Sequence, residues 1–224
     1  MGILETGIPE LDEILGGGLE TGSSTVFWTK PGIDDRPFAY YLLQKQLARG
    51  NNGIFVVQTK KAETVETEIV EHGYDITAFK RIGNFVFIDA YSKLVHATSK
   101  EKFIVGNPNS ASQITNVLAT VLKEIGQKNI MVIFGSLSMM VNNYLDEYIQ
   151  ESKVWKQLFQ QHTAAGVFLF THWPYSNAIL KKVRQSADYI VEIGKQDARQ
   201  YFVVQKKRNG KAEPKEVPIN LERG

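Results

Sequence analysis

The chain contains no cysteine among its 224 residues. This absence excludes a disulfide framework, a thiol nucleophile and a zinc site with cysteine ligands. The sequence also lacks an apolar run of about 18 residues, the length that a membrane-spanning helix needs. Its first residues, MGILE, do not have the pattern of a signal peptide. We therefore expect a soluble protein of the cytoplasm.

Strong charge and metal-binding patterns are lacking as well. The net charge of +2 is too small to indicate a nucleic-acid-binding protein by itself. The histidines show no spacing typical of a metal site, and they are His72, His96, His162 and His172. The chain is 43% hydrophobic and 22% charged, as ordinary globular domains are. We expect a single domain over residues 1–224 and no bound metal.

Short β-branched runs alternate with longer amphipathic runs along the chain. Strands are predicted at Thr25–Trp28, Ile54–Gln58, Phe85–Ile88, Ile130–Phe134, Val167–Thr171, Ile190–Ile193 and Tyr201–Gln205. Helices are predicted at Phe38–Ala48, Glu63–His72, Gln113–Ile125, Leu145–Gln161 and Ala178–Gln185. This order predicts an α/β fold with a mostly parallel twisted sheet, helices on both faces and a C-terminal antiparallel hairpin. Residues 93–109 have weak periodicity and are predicted to form a long surface loop.

The segment TGIPELDEILGGGLETGSSTVFWTKPG, residues 6–32, resembles the start of the KaiC/RadA branch of the RecA-type ATPases. The matching positions are Thr6, Gly7, Ile8, Leu11, Asp12, Leu15, Gly16, Gly17, Gly18, Leu19 and Gly22. The segments GIFVVQTKKAETVE, FIDAYS, VIFGSLSMM and SADYIVEI through PINLERG fit the same pattern. The resemblance covers nearly the whole chain and implies a RecA-like P-loop NTPase fold. Taken alone, Gly16–Gly18 would fit equally well a flexible turn after a short helix, Pro9–Leu15.

The phosphate-binding loop of this family, Gly-x-x-x-x-Gly-Lys-Ser/Thr, aligns with Thr29, Lys30, Pro31, Gly32, Ile33, Asp34, Asp35 and Arg36. Thr29 and Asp34 replace its two glycines, and only the internal Gly32 remains. Asp35 replaces the lysine that would reach the phosphates, and Arg36 replaces the hydroxyl that would bind Mg²⁺. An anion in place of a cation costs several kcal/mol, on the order of 4 for each charge pair at about 4 Å. We predict that this degenerate loop no longer binds phosphate.

Other catalytic positions that the resemblance implies are replaced too. The acidic pair that activates water falls on Thr59 and Lys60, and the Walker B aspartate falls on Gly135. We therefore predict a pseudo-ATPase without a cofactor, acting through a protein partner such as a RecA- or KaiC-like paralogue or a second copy. Two alternatives stay open: a member that binds or hydrolyses ATP with Mg²⁺ through an atypical loop, and an accessory factor of DNA recombination or repair. An archaeal source is a further expectation.

Asp34 and Asp35 have two further interpretations. Together with Asp89 they could form a divalent-metal site. Alternatively, they cap the helix predicted to begin near Pro37, because acids stabilise the positive end of a helix dipole. We favour capping. The nearby Ser136 and Ser138 are interpreted as residues at a strand end, without a nucleophile elbow.

Two more features match functional positions of the family. His172, in FLFTHWPY, follows a buried strand and is a candidate sensor of the nucleotide state; a polar residue that closes the strand is the alternative. Lys206 and Arg208 match a Lys-x-Arg pair that reaches the neighbouring subunit's nucleotide in KaiC-type assemblies. A solvated hairpin turning at Asn209-Gly210 is the simpler interpretation. A weaker third is a nucleic-acid patch made of Lys181, Lys182, Arg184, Lys206, Lys207, Arg208 and Lys211.

Overall fold

The computed structural model describes residues 2–126, 129–196, 199–208, 216–219 and 221. The strands are β1 (Ile3–Leu4), β2 (Leu19–Glu20), β3 (Ser24–Thr29), β4 (Asn52–Val57), β5 (Phe85–Asp89), β6 (Phe103–Ile104), β7 (Ile130–Phe134), β8 (Ala164–Thr171), β9 (Tyr189–Gln196), β10 (Arg199–Lys206) and β11 (Glu216–Pro218). The helices are α1 (Pro9–Leu15), α2 (Arg36–Ala48), α3 (Ala62–Glu71), α4 (Thr77–Arg81), α5 (Ala111–Glu124), α6 (Leu137–Gln161) and α7 (Asn177–Ser186).

Most strands join one large sheet in the order β11-β10-β9-β3-β8-β7-β4-β5-β6. The strands from β9 to β6 pair in parallel, whereas β10 pairs antiparallel with both β9 and β11. The mostly parallel sheet and the C-terminal antiparallel hairpin are therefore confirmed. A separate antiparallel pair, β1 and β2, is connected by α1 in the chain. The carboxyl ends of β3, β4, β7 and β8 meet at the same edge, where ligands bind in open α/β sheets.

Apolar side chains on the two faces of the sheet form two cores. Phe27 of β3 belongs to the core covered by α2 and α3. Its neighbour Val26 belongs to the core covered by α5 and α6, because successive strand residues point to opposite faces. In the second core Phe134 stacks on Phe168 with centroids 4.4 Å apart, and the ring of Trp155 lies 4.7 Å from Phe134. The prediction of helices on both faces is confirmed.

Helix α6 begins eight residues earlier than the predicted start at Leu145. Tyr144 has φ −156° and ψ 51°, so a kink divides the helix at this residue. Ser136 is the N-cap, and its hydroxyl accepts the backbone N–H of Met139 at 3.2 Å. Ser138 lies in the first turn. The interpretation of both serines as strand-end residues is therefore wrong: the short polar side chain of Ser136 starts a helix.

The predicted loop over residues 93–109 is only partly a loop. A 3-10 helix covers Ser92–Val95, and β6 pairs in parallel with the end of β5. The pairing of Phe103 with Ile88 adds one short strand to the sheet. The sequence does not predict this strand, because two apolar residues are too few to show a period. None of the helices in the described part of the chain has the length and apolar character needed to cross a membrane.

Candidate functional site

A cavity of about 630 Å³ opens at the carboxyl ends of the central strands, beside the degenerate loop. Its walls come from that loop, from the residues that follow β4, β7 and β8, and from the first turns of α6. The lining residues are Gly32, Ile33, Asp34, Asp35, Arg36, Thr59, Lys60, Gly135, Ser136, Ser138, Met139, Asn142, Asn143, Thr171 and Trp173. The structure therefore brings together the degenerate loop and the three other positions at which the resemblance places catalytic residues.

The first two positions of α2 offer no free backbone donor to an anion. Gly32 keeps a left-handed conformation with φ +88°. At the start of α2, the backbone N–H of Arg36 already donates to Asp34 Oδ1 at 3.1 Å. The next residue, Pro37, has no N–H to donate. Helix starts bind phosphate through such N–H groups, so this start is a poor phosphate site.

Asp34 forms a two-bond ion pair with Arg36. The guanidinium Nε lies 2.7 Å from Oδ1, and Nη2 lies 2.7 Å from Oδ2. Burial disfavours the charged carboxylate, but the hydrogen bonds and charge of Arg36 outweigh burial and hold the pKa of Asp34 below its usual value. Asp34 therefore stays ionised and neutralises the arginine two residues away.

Asp35 lies in a different environment from its neighbour. It is only 9% exposed, and its Oδ2 accepts a weak hydrogen bond from the Thr29 hydroxyl at 3.4 Å. Burial, aided by the adjacent charge of Asp34, raises the pKa of Asp35 to about 6. Asp35 occupies the N-cap position of α2, yet its side chain makes no capping hydrogen bond. The capping interpretation is therefore wrong for Asp35, while the Asp34 carboxylate does bind the first helical N–H.

Glu68 of α3 connects the two cations of the cavity wall, Arg36 and Lys60. It accepts hydrogen bonds from the Tyr40 hydroxyl at 2.8 Å and from Arg36 Nη1 at 3.5 Å, and it forms a salt bridge with Lys60. Burial opposes its charge, but the bonds from Lys60 and Tyr40 prevail and lower the pKa of Glu68. Asp34, Arg36, Glu68 and Lys60 thus form one charge network, which sequence reasoning missed because Glu68 lies far from the loop in the chain.

Gly135, at the Walker B position, is closely surrounded. Its N–H donates to the carbonyl of Val56 at 3.0 Å. A Cβ at this position would lie 3.1 Å from Cε1 of Phe55 and 3.1 Å from the Val56 carbonyl oxygen. An aspartate here would require these neighbours to move, so the local packing is adapted to glycine.

His172 lies just beyond β8, as predicted, but it is not among the residues that line the cavity. Its N–H donates to the Thr29 carbonyl at 2.7 Å, and its ring packs edge-on against Trp28 with centroids 5.4 Å apart. Thr171 and Trp173, one residue to either side, line the cavity instead. The sensor role of His172 stays a prediction, and at this strand end the cavity wall is formed by its two neighbours.

The three aspartates considered as a metal site are not brought together. Asp89 ends β5, which is separated from β3 by β8, β7 and β4 in the sheet. Its carboxylate accepts the N–H groups of Tyr91 and Ser92 at 2.9 and 2.8 Å and the Ser92 hydroxyl at 2.6 Å. Asp89 therefore closes its own turn. Among the described residues no group of three or more histidines and acids could hold a metal ion.

Lys206 and Arg208 lie near the amino ends of the parallel strands, at the opposite edge from the degenerate loop. Lys206 pairs in register with Ile190 near the start of β9. Its ammonium group donates to the carbonyls of Arg184, at 2.8 Å, and Ala187. Arg208 Nη1 donates to Glu20 at 3.1 Å. Both side chains are thus held within the chain, and their role toward a neighbour stays a prediction.

The wider basic patch is also partly engaged in contacts within the chain. Lys182 forms a salt bridge with Asp146 at 2.7 Å, and the guanidinium of Arg184 lies 4.5 Å from the Trp28 ring centroid. The predicted turn at Asn209-Gly210 and Lys211 lie outside the described residues. Several of the cations are therefore already paired or stacked within the chain.

Comparisons with known proteins match this chain to one family. The family described as "ATPase: KaiC" matches residues 4–223. Curated relatives include UPF0273 proteins from Aeropyrum pernix, 29% identical over 130 residues, and from Methanocaldococcus jannaschii, 30% identical over 129 residues. These matches cover 58% and 57% of this chain and 52% and 53% of the relatives, so the chain spans about half their length.

A solved structure shares the fold over nearly the whole chain. It is a KaiC-like protein from the archaeon Pyrococcus horikoshii, with a TM-score of 0.71 and 17% identity. The likeness covers 99% of this chain and 96% of that one. At this identity it shows the fold alone.

Proposed function

The chain belongs to the KaiC family of ATPases, and we propose that it is a member without ATP hydrolysis that acts in the cytoplasm by binding another protein. The observation that carries this proposal is the closed charge network of Asp34, Arg36, Glu68 and Lys60. It occupies positions where the family places the Mg²⁺ hydroxyl and the catalytic acids. Its cations are already paired with acids of the same chain.

A bound triphosphate would have to disturb this network. Arg36 and Lys60 would have to leave Glu68 before either could contact a phosphate. A phosphate in the loop would also meet Asp35 at the position of the family's lysine. Repulsion between unit charges about 4 Å apart is worth roughly 4 kcal/mol near a protein surface, a large part of the roughly 8 kcal/mol of micromolar binding.

The first prediction is that the protein neither binds nor hydrolyses ATP. With Mg²⁺ present, isothermal titration is expected to give a dissociation constant weaker than about 1 mM, and an ATPase assay is expected to give no turnover. The triple variant Asp34→Gly, Asp35→Lys, Arg36→Thr is the matched control. It restores the second glycine, the lysine and the hydroxyl of the loop and is expected to bind nucleotide better, but it still lacks the acids at positions 59, 60 and 135 and should not turn over.

Two outcomes would contradict this proposal and favour an ATP-dependent member of the family. One is a dissociation constant below about 10 μM for the unmodified protein. The other is turnover that disappears when Asp35 is replaced, because it would assign the activity to this loop.

We propose that the protein partner is a RecA- or KaiC-like paralogue or a second copy, and that Lys206 and Arg208 face the nucleotide of an active paralogue. The pair lies at the sheet edge opposite the degenerate loop, so a subunit without its own site could still complete a neighbour's. To do so, Lys206 must leave the carbonyls of Arg184 and Ala187 and Arg208 must leave Glu20.

The second prediction follows from this arrangement. Mixing the protein with an active paralogue should raise ATP turnover, and Lys206→Ala and Arg208→Ala should each reduce that gain severalfold, because basic fingers stabilise charge in phosphoryl transfer. Lys181→Ala removes the same charge from an exposed position of α7 and should have no effect. Turnover indifferent to both substitutions in a stable complex would refute the finger role. Salt-dependent DNA binding lost with the same substitutions would instead support an accessory factor of DNA metabolism.

A further inference from the structure

Asp35 is the one carboxylate on the cavity wall that forms no salt bridge with a described residue, and the charge of Arg36 acts on it only weakly. Asp34 is paired with Arg36, and Lys60 is paired with Glu68. Asp35 has the Thr29 hydroxyl at 3.4 Å and lies on the wall of the cavity with 9% of its surface exposed. A buried carboxylate is costly unless a cation or several donors stabilise it.

We propose that this cavity binds an organic cation, an alkylammonium or guanidinium group, which pairs with Asp35 at the position where relatives with an intact loop would hold phosphate. The proposal rests on the proposed function, because a cation can enter only where a triphosphate does not. The proposal adds the chemistry of the contact to the proposed function: the group that enters the cavity carries a positive charge.

The charges around the cavity favour a positive ligand. Two acids, Asp34 and Asp35, and two bases, Arg36 and Lys60, line the cavity. Glu68 lies behind the wall and pairs with both bases, so these five groups together carry one negative charge in excess. Lys30 is exposed and His72 lies near Asp34, but neither forms an ion pair with Asp35. The excess charge belongs to the residue with the fewest partners, so the attraction is centred on Asp35.

The remaining walls suit an ammonium or guanidinium group. Thr59, Ser136, Asn142 and Asn143 supply hydroxyl and amide oxygens that accept hydrogen bonds. Trp173 is 46% exposed and also lines the cavity, so its indole ring is within reach of a bound cation. An acidic group, neutral acceptors and an open aromatic ring together resemble the chemistry of amine recognition, and the volume of about 630 Å³ accommodates a long side chain.

The third prediction uses agmatine, which carries a guanidinium and an ammonium group, as the probe. Titration followed by NMR should shift the indole N–H signal of Trp173, assigned with Trp173→Ala, with a dissociation constant on the order of 1 mM. Binding should be about ten-fold weaker at pH 5 than at pH 7, because Asp35, with its pKa raised to about 6 by burial, is mostly protonated at pH 5. Isothermal titration of Trp173→Ala, which lacks the NMR reporter, should show about three-fold weaker binding, as expected for an exposed cation–π contact.

Asp35→Asn is the decisive variant, because it removes a buried charge and is not expected to impair folding. It should abolish the shift, whereas Glu10→Gln, an exposed charge-matched change on α1, should leave it intact. A peptide with one arginine between glycines distinguishes the source: tighter binding of the peptide indicates a partner's side chain, and tighter binding of agmatine a free amine.

Three results would overturn the cation site. They are equal binding by Asp35→Asn, an equal shift with MgCl₂ at matched ionic strength, and no shift with either probe up to about 50 mM. ATP is titrated separately. If ATP binds and agmatine also binds through Asp35, the proposed function fails while the cation site stands; if neither binds, the cation site alone fails.

Discussion

Asp35→Asn is expected to raise the free energy of unfolding at pH 7 by about 1–3 kcal/mol. The upper limit comes from the pKa, which burial raises from 3.8 to about 6, at about 1.4 kcal/mol for each unit. The lower limit allows for an asparagine amide that finds incomplete hydrogen bonding in the same buried place. Most single substitutions destabilise a protein, so an increase in the stability of Asp35→Asn would itself be informative.

The pH dependence of this effect follows from proton binding. Between pH 3.8 and about 6 the folded protein holds a proton on Asp35 that the unfolded chain has released, so Asp35 lowers stability as the pH rises. The difference between Asp35→Asn and the unmodified protein should therefore be small below about pH 4, grow up to about pH 6 and stay constant above it. Urea unfolding at a series of pH values measures this difference directly.

Asp34→Asn is the matched control, with the opposite expected sign. Asp34 has a lowered pKa because the bonds from Arg36 outweigh its burial, and it accepts the first N–H of α2. Asparagine keeps an oxygen for this N–H but removes the half-exposed ion pair with Arg36, so the variant should destabilise the fold by up to about 1 kcal/mol. Destabilisation of similar size in both variants would show that Asp35 is stabilised by contacts that outweigh its burial, and would contradict the assignment.

The fold was predictable because its signals are local and repeated. Strand β3 matches its prediction within one residue at each end, since β-branched and aromatic residues are continuous there. Strand β8 begins earlier than predicted, at Ala164-Ala165-Gly166, where small residues give a weak hydrophobic signal. Packing explains the small residue: a Cβ on Gly166 would lie 2.3 Å from Cε2 of Phe159. That contact joins residues of α6 and β8 and produces no periodic pattern in the sequence.

The candidate site was predictable only in what it has lost. Replacements at positions 29, 34–36, 59, 60 and 135 are visible once the chain is aligned with an ATPase pattern. The charge network at these positions depends on contacts between distant residues, such as Glu68 with Arg36. It also depends on burial, which gives Asp34 and Asp35 different environments although their side chains are the same. The sequence does not single out Trp173, because the polar residue at that strand end is His172, whose ring packs against Trp28 and is not part of the cavity wall.

The three consecutive glycines after α1 have different structural reasons. Gly16 ends the helix in a left-handed conformation with φ +85°, and its N–H donates to Glu13 at 3.2 Å, so a turn after Pro9–Leu15 is confirmed. A Cβ on Gly16 would meet nothing within 4 Å. Gly18 has φ +135°, and a Cβ there would lie 2.5 Å from the carbonyl oxygen of Leu4, which is fully buried in β1.

Gly18→Ala is accordingly expected to lower the free energy of unfolding by about 3–5 kcal/mol. The unfavourable φ accounts for about 1–3 kcal/mol, and displacement of the Leu4 backbone adds a similar amount. Gly16→Ala should cost only about 1 kcal/mol, the penalty for a left-handed alanine in open space. Urea unfolding of both variants gives the comparison. Equal losses would mean that backbone conformation alone matters, whereas the larger loss at Gly18 would show that this glycine lets β2 pass close to β1.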